Sequence, residues 1–247
     1  MMILELDIGN TRIKWRRVSN CNSEIIADGT YRDEGEFISE QADSDKPDVF
    51  RFCNVRDKHV TSRIINWSQT KWGLKPVVAT VRRECGGVKI NYLDVSCLGA
   101  DRWLAMLSAF EKSKGACIVV DSGTAFTLDV IGQDGMHLGG YILPGLDLMK
   151  ESLVANTGIC VEGNPIERSL ELGNSTAAAV LNGGLATLVA LIEKNITGLR
   201  FLGSEPTVFF SGGDAKVLAP LTDFAALRVE LTLVLDGLAI ACNSADF

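Results

Sequence analysis

The chain lacks the spacings that would announce several common chemistries. Its seven cysteines, at positions 21, 53, 85, 97, 117, 160 and 242, are odd in number and contain no Cys-x-x-Cys pair. A disulfide framework and a zinc site are both poorly supported by that pattern. No Gly-x-x-x-x-Gly-Lys-Ser/Thr stretch occurs, so a P-loop nucleotide site is not supported. Basic charge is short as well: 24 Lys and Arg stand against 31 Asp and Glu, a formal charge of −7 with no dense basic block. Nonspecific nucleic-acid binding is disfavoured by that balance. Arg82-Arg83 is the nearest approach to a basic patch and reads as a solvated pair. No apolar run reads as long enough to span a bilayer. The apolar opening is interrupted by Glu5 and Asp7 and has no basic leader segment, which argues against a signal peptide. Together these absences point to the reduced cytoplasm, with no membrane and no nucleic acid as partner.

What is present is a phrase written twice. Asp7-Ile8-Gly9-Asn10-Thr11 and Asp121-Ser122-Gly123-Thr124-Ala125 each follow an apolar run and precede another extended one. The pattern reads as strand, tight turn, strand. A single copy is compatible with a plain hairpin tip, where Gly with Asp or Asn is common. Two copies with their aspartates 114 positions apart, close to half of 247 residues, point to duplication of one unit. Glycine lets each turn approach a bound group, neighbouring hydroxyls and amides donate hydrogen bonds, and the carboxylate can hold a hydrated cation. The pair would clamp a nucleotide triphosphate and its metal.

A composition that is 47% hydrophobic can bury a substantial core. Residues 2–18 and 25–31 read as three strands, and 32–48 as a loop with one helix. A strand at 49–55, a helix at 58–71 and a strand at 76–81 follow. The stretch 86–99 reads as irregular and 101–114 as a helix. Strands near 117–121, 125–131 and 137–143 restart the pattern. Helices at 146–156 and 176–195, a strand at 208–210 and a closing helix at 231–243 complete it. The fold expected is α/β, with two domains of like topology, 1–115 and 116–247, and a nucleotide cleft between them.

Two further elements add chemistry. Ser211-Gly212-Gly213-Asp214 follows a short apolar strand and reads either as a strand-to-helix turn or as a flat backbone surface for an adenine. Gly99-Ala100-Asp101-Arg102 puts a carboxylate and a guanidinium at a helix N-terminus, where an acidic residue is also expected on structural grounds alone. The order of phosphate turn, second phosphate turn and Gly-Gly turn resembles the superfamily of acetate and sugar kinases, heat-shock ATPases and actin, whose domains are actin-like, or ribonuclease H-like. Asp7-x-Gly-Asn-Thr, Gly99-x-Asp-Arg, Asp121-x-Gly-Thr-Ala, Gly139-Gly140-x-Ile-x-Pro-Gly145 and Thr176-x-x-Ala-Val-x-x-Gly183 resemble, in order, the motifs of type III pantothenate kinases. That resemblance spans essentially the whole chain.

The resemblance implies ATP-dependent phosphorylation of pantothenate, the first step toward coenzyme A. It implies Asp101 as general base and Arg102 as ligand of the pantothenate carboxylate. Tyr92, Gly99, Ala100 and Thr176 are implied as further substrate contacts. ATP would be held by Asp7, Ile8, Gly9, Asn10, Thr11, Arg12, Ile13, Lys14 and Thr124, with Gly212 and Gly213 beside the adenine. Asp7 would orient magnesium through water, and Asp121 would hold a monovalent cation, potassium or ammonium. The family is dimeric, so a homodimer is implied. Two alternatives stay open on the residues alone: a superfamily kinase for another small hydroxylated metabolite, and a non-catalytic nucleotide-binding accessory factor in transcription.

Overall fold

The computed structural model describes residues 1–19, 24–161, 168–222 and 226–242. Its first sheet is made of β1 (Met2–Ile8), β2 (Ile13–Ser19), β3 (Ile25–Tyr31), β4 (Val49–Asn54) and β5 (Val77–Val78), in the order β3-β2-β1-β4-β5. Helix α1 (Glu34–Glu40) lies between β3 and β4, and α2 (Lys58–Trp72) between β4 and β5. A hairpin of β6 (Glu84–Cys85) and β7 (Val88–Lys89) precedes α3 (Ala100–Ser113). The second sheet has β8 (Cys117–Ser122), β9 (Ala125–Ile131), β10 (His137–Pro144), β11 (Thr207–Ser211) and β12 (Leu227–Val229), in the order β10-β9-β8-β11-β12. Its helices are α4 (Leu146–Asn156), α5 (Thr176–Phe201) and α6 (Ala215–Leu218), and α7 (Leu233–Ala241) closes the described chain.

The two strand orders are the same order. In each sheet three antiparallel strands are followed by two that join in parallel, β4 and β5 in one and β11 and β12 in the other. Duplication of one α/β unit, the expected fold class, is thus visible in topology as well as in the repeated phrase. The chain forms two compact units. One comprises Met1–Gly86, Tyr92–Ser108 and Thr232–Phe247, the other Gly87–Asn91 and Ala109–Leu231. The cut at 115/116 marks the sequence repeat, whereas the packing boundary falls inside α3 and returns the last helix to the first unit.

The return of α7 has a physical cause. Glu5, fully buried in the central strand β1, is held by Arg16 and by Arg51, whose Nη2 lies 2.5 Å from Glu5 Oε1. Arg16 also reaches Asp236 of α7 at 2.6 Å, and Arg51 donates to the Cys242 carbonyl at 3.2 Å. A buried carboxylate needs such partners, since removal of one would leave an uncompensated charge. Gly237 lets α7 approach α3 closely, because a Cβ there would lie 2.2 Å from the Leu104 carbonyl oxygen.

The first core gathers Leu4, Leu6, Ile8, Ile13, Phe50 and Phe52 from the sheet with Phe37, Ile64 and Trp72 from the helices. In the second, Leu185, Leu188, Val189, Ile192, Ile196 and Leu199 form the buried stripe of α5 against Ile118, Val120, Phe126, Leu128, Val208 and Phe210. The spacing of that stripe is helical. It also carries α5 six residues past the expected end. By length and composition α5 is long and apolar enough to cross a membrane, which corrects the expectation that no run reaches that length. Its apolar stripe is used in the core instead.

Other differences from the expected elements are local. The strand at 76–81 contracts to two residues because only Arg51 and Phe52 are there to pair with it. The 86–99 stretch contains the β6–β7 hairpin, whose tip glycines Gly86 and Gly87 both have positive φ, 54° and 81°. That is the geometry two-residue hairpins prefer. Strand β12 is an addition. Arg82 and Arg83 are exposed but are not merely solvated: Arg82 donates to the Ala241 carbonyl at 2.7 Å, and Arg83 to the carbonyls of Tyr92 and Leu93 at 2.5 and 3.1 Å. Six of the cysteines lie among the described residues, and all six are free; Cys21 falls outside them.

Candidate active site

The first turn is the tip of the β1–β2 hairpin. Ile8 pairs with Ile13, and Gly9 N–H donates to the Arg12 carbonyl at 3.1 Å. Asn10, Thr11 and Arg12 are exposed, while Ile8 and Ile13 belong wholly to the core. Any part those two isoleucines play toward a phosphate is therefore a backbone part. Asp7 stands next to the turn, between Lys14 on β2 and Cys53 on β4. It is 8% exposed, and the Cys53 thiol donates to its Oδ1 at 3.5 Å. Burial first, then the charges of Asp7 and Asp101, push the Cys53 thiol well up. The charges of two carboxylates, one on β1 and one at the start of α3, thus both act on one buried thiol.

Asp101 occupies the first turn of α3, which opens with Trp103 N–H donating to the Gly99 carbonyl at 3.1 Å. Its Oδ1 accepts from the Arg102 N–H at 2.7 Å, as a carboxylate at a helix N-terminus should. Arg102 is buried, and its Nη1 donates to the Tyr92 hydroxyl at 3.2 Å. Arg83 fixes the backbone on which Tyr92 stands. The structure therefore brings Asp7, Tyr92, Asp101 and Arg102 into the same unit, with Tyr92 against Arg102 and Asp7 against Cys53.

The second unit carries its own cluster of turns. Asp121 is the penultimate residue of β8, registered against Thr127 on one side and Ser211 on the other. The Gly123 N–H donates to the Ala125 carbonyl at 3.0 Å, and Thr124 is exposed at the tip. The Thr124 carbonyl accepts from Gly145 N–H at 2.9 Å, at the N-terminus of α4. The Gly212-Gly213 turn lies on the same end of the sheet, where Asp214 N–H donates to the Ser122 carbonyl at 3.0 Å. Gly212 has φ +86°, and a Cβ on it would stand 2.2 Å from the Ser122 carbonyl oxygen; one on Gly145 would stand 1.9 Å from that of Gly123. Three backbone turns can close this tightly only because glycines occupy the contacts.

Thr176 is the exposed first residue of α5, behind the N-cap Ser175, whose hydroxyl accepts from Ala178 N–H at 3.2 Å. It belongs to the second unit, away in the chain from Tyr92 and Arg102. Asp214, the last residue of the Gly-Gly element, has its carboxyl pushed up by burial, with Asp147 adding to the rise and Arg168 opposing it. Cys53 and Arg56 were invisible because single residues after an apolar strand carry no spacing signal; only the pairing of β4 beside β1 reveals them.

As to cations, a triphosphate-bound magnesium needs one or two carboxylates and keeps its waters. Asp7 on β1 and Asp121 on β8, at matching places in the two sheets, are each a carboxylate that could supply an oxygen to a cation. Among the described residues there is no cluster of three or more His, Cys, Asp or Glu that would hold a metal without the nucleotide.

Comparisons with known proteins place the chain in a family. The family model for type III pantothenate kinase matches residues 3–197. A type III pantothenate kinase of Pseudomonas fluorescens (strain Pf0-1) is 38% identical over 98% of this chain and 99% of its own. Among solved structures, a conserved protein of Campylobacter jejuni assigned to the Baf family of transcriptional activators superposes with a TM-score of 0.58 at 22% identity, covering 95% of this chain and 94% of that one. The ethanolamine utilization protein EutJ from Carboxydothermus hydrogenoformans gives 0.53 at 12% identity, covering 98% and 90%. These two show the shared fold, and it is the family match and the curated relative that fix the chain's place: it belongs to the type III pantothenate kinase family.

Proposed function

We propose how this chain carries out its family's reaction, the ATP-dependent phosphorylation of pantothenate that opens coenzyme A biosynthesis. Phosphoryl transfer asks little covalent chemistry of a protein; it asks for alignment, neutralised charge and a group to take the hydroxyl proton. Asp101 takes that proton. Arg102, its fork oriented by the Tyr92 hydroxyl, receives the pantothenate carboxylate through two parallel hydrogen bonds. Thr176 adds a hydroxyl contact to the substrate.

The turns at 9–12 and 123–124 hold the phosphates through backbone N–H groups and hydroxyls, and the Gly212-Gly213 turn offers a flat backbone to the adenine. Magnesium held through water by Asp7, and a monovalent cation held by Asp121, would neutralise phosphate charge when bound. The active form is a homodimer in the cytoplasm, with no nucleic acid or membrane as partner.

The observation that carries this reading is the Arg102–Tyr92 hydrogen bond one residue from Asp101, in the unit that also holds Asp7. Purified protein is expected to consume ATP with pantothenate and not with a panel of other small alcohols. Equal turnover of an unrelated alcohol would remove the substrate assignment. Light scattering is expected to give twice 26.7 kDa, and a mass near 26.7 kDa at micromolar concentration would remove the dimer.

A further inference from the structure

The residue that follows β4 and its short extension is unused by the reading above. Arg56 is 16% exposed in its side chain. Its backbone is fixed from both directions: Val55 N–H donates to the Ile8 carbonyl at 3.1 Å, and Arg56 N–H to Asn54 Oδ1 at 2.9 Å. Asn54 is itself tied to the Asp57 carbonyl at 3.1 Å and to Thr61 at 2.8 Å. From that rigid base Arg56 Nε donates to the Gly9 carbonyl at 2.5 Å. Its Nη2 donates to the Arg32 carbonyl at 3.2 Å, and its Nη1 lies 3.9 Å from Glu34.

We propose that Arg56 is a positioning residue that holds the Gly9–Asn10 peptide with its N–H turned toward the nucleotide phosphates. Among the described residues there are no cis peptide bonds, so the Asn10 N–H points opposite to the Gly9 carbonyl. With that carbonyl drawn to the guanidinium, the N–H faces the exposed side of the turn. Glycine at position 9 would otherwise make rotation of this peptide easy. The rotated form would aim a carbonyl oxygen at an anion. Arg56 removes that form by giving the carbonyl a charge-assisted hydrogen bond, stronger than a neutral one. The inference rests on the assignment of residues 9–12 to the phosphates.

Two substitutions separate positioning from charge. Glutamine places its amide nitrogen at the chain position of arginine Nε, so Arg56→Gln keeps a donor for the Gly9 carbonyl without the charge. Lysine keeps the charge but has a methylene at that position. The expected result is an ATP KM raised about tenfold in Arg56→Lys and within about threefold of wild type in Arg56→Gln, with the pantothenate KM unchanged in both. A general structural role through Glu34 would give the reverse order, because only lysine keeps that ion pair. Arg56→Lys equal to or better than Arg56→Gln overturns the proposal. Should the lysine variant fail to fold, Arg56→Met, which also lacks the donor, takes its place.

The underlying assignment is tested by Asn10→Pro, which lacks the N–H, against Asn10→Ala. Equal ATP affinity in these two removes both the phosphate role of that N–H and the proposal. Weaker binding by the proline variant, with Arg56→Lys at wild-type ATP KM, removes the proposal alone.

Discussion

The two Asp-x-Gly turns descend from one pattern and have been finished by different means. In the first, side chains do the shaping: Asp7 is buried against a thiol, and an arginine holds the tip carbonyl. In the second, glycines do it: Gly145 and Gly212 let neighbouring turns close onto the Asp121–Thr124 backbone. The first turn can therefore orient charge, while the second offers a compact surface of backbone dipoles. Duplicated topology fixes where a turn stands; the residues packed behind it decide what it can do.

The largest expected break in this asymmetry is at Asp101, which only the first unit has. Asp101→Asn preserves shape and removes the base, so kcat should fall by about 10²-fold or more while ATP affinity, measured by calorimetry, stays put. A kcat within about threefold of wild type would reject the assignment.

Next comes the reliance of the second turn on glycine. Gly212→Ala forces a methyl group to within 2.2 Å of a backbone oxygen at φ +86°, where a side chain is strained in any case. A loss of about 2 kcal/mol or more in urea unfolding is expected. Gly9→Ala meets only the Arg12 carbonyl at 3.2 Å and should cost clearly less. Equal losses would mean that the two turns do not differ in this way.

A smaller effect is expected at Arg102. Arg102→Lys loses the fork that binds a carboxylate at two points and should raise the pantothenate KM about tenfold, leaving the ATP KM unchanged. Smaller again is the response to cations. Replacing potassium by sodium at constant ionic strength should lower the rate severalfold, and Asp121→Asn should blunt that response while Asp7→Asn should not. Equal rates in the two salts would remove the cation from Asp121 and leave the kinase assignment intact.

The repeat made the fold legible, because Asp7 and Asp121 sit at topologically equivalent strand ends and the apolar runs before them fill both cores. The Gly99–Arg102 element was legible too, since a helix start concentrates its chemistry in adjacent residues. What stayed hidden were contacts made across long stretches of chain. Cys53 meets Asp7 only through parallel pairing of β4 with β1, and Arg56 reaches Gly9 across 47 positions. The return of α7 was hidden for the same reason: Asp236 reads as an ordinary helix residue until Arg16, 220 positions earlier, is seen to hold it. The end of α5 was missed more simply: the expected helix stops at 195, although the buried stripe continues through Ile196 and Leu199.

The last prediction concerns the thiols behind each turn and is silent at neutral pH. Cys117, at the start of the strand leading to Asp121, is fully buried, and burial pushes its thiol from 9.0 to about 12, with a hydrogen bond from Ser113 opposing the rise. Cys242 is pushed up to about 11, again by burial, with Arg51 and Arg82 opposing it. A group whose folded value lies above its unfolded one contributes stability that is complete below the unfolded value. As the pH climbs past 9 the unfolded chain sheds protons that the folded one keeps, so that stability is lost until the folded value is passed. Each such thiol adds a slope of up to about 1.4 kcal/mol per pH unit over that interval. Lysines and tyrosines titrate there too, so the informative quantity is the difference between wild type and Cys117→Ala in urea unfolding from about pH 8 to 11, which starts below the unfolded value of 9.0 and runs toward the folded value of about 12. The variant should be less stable at pH 8 because of the lost packing contacts of the sulfur, yet its stability should fall less steeply above pH 9. Parallel curves would mean that Cys117 ionises in the folded chain as readily as in the unfolded one, and that the strand behind the second turn is open to water.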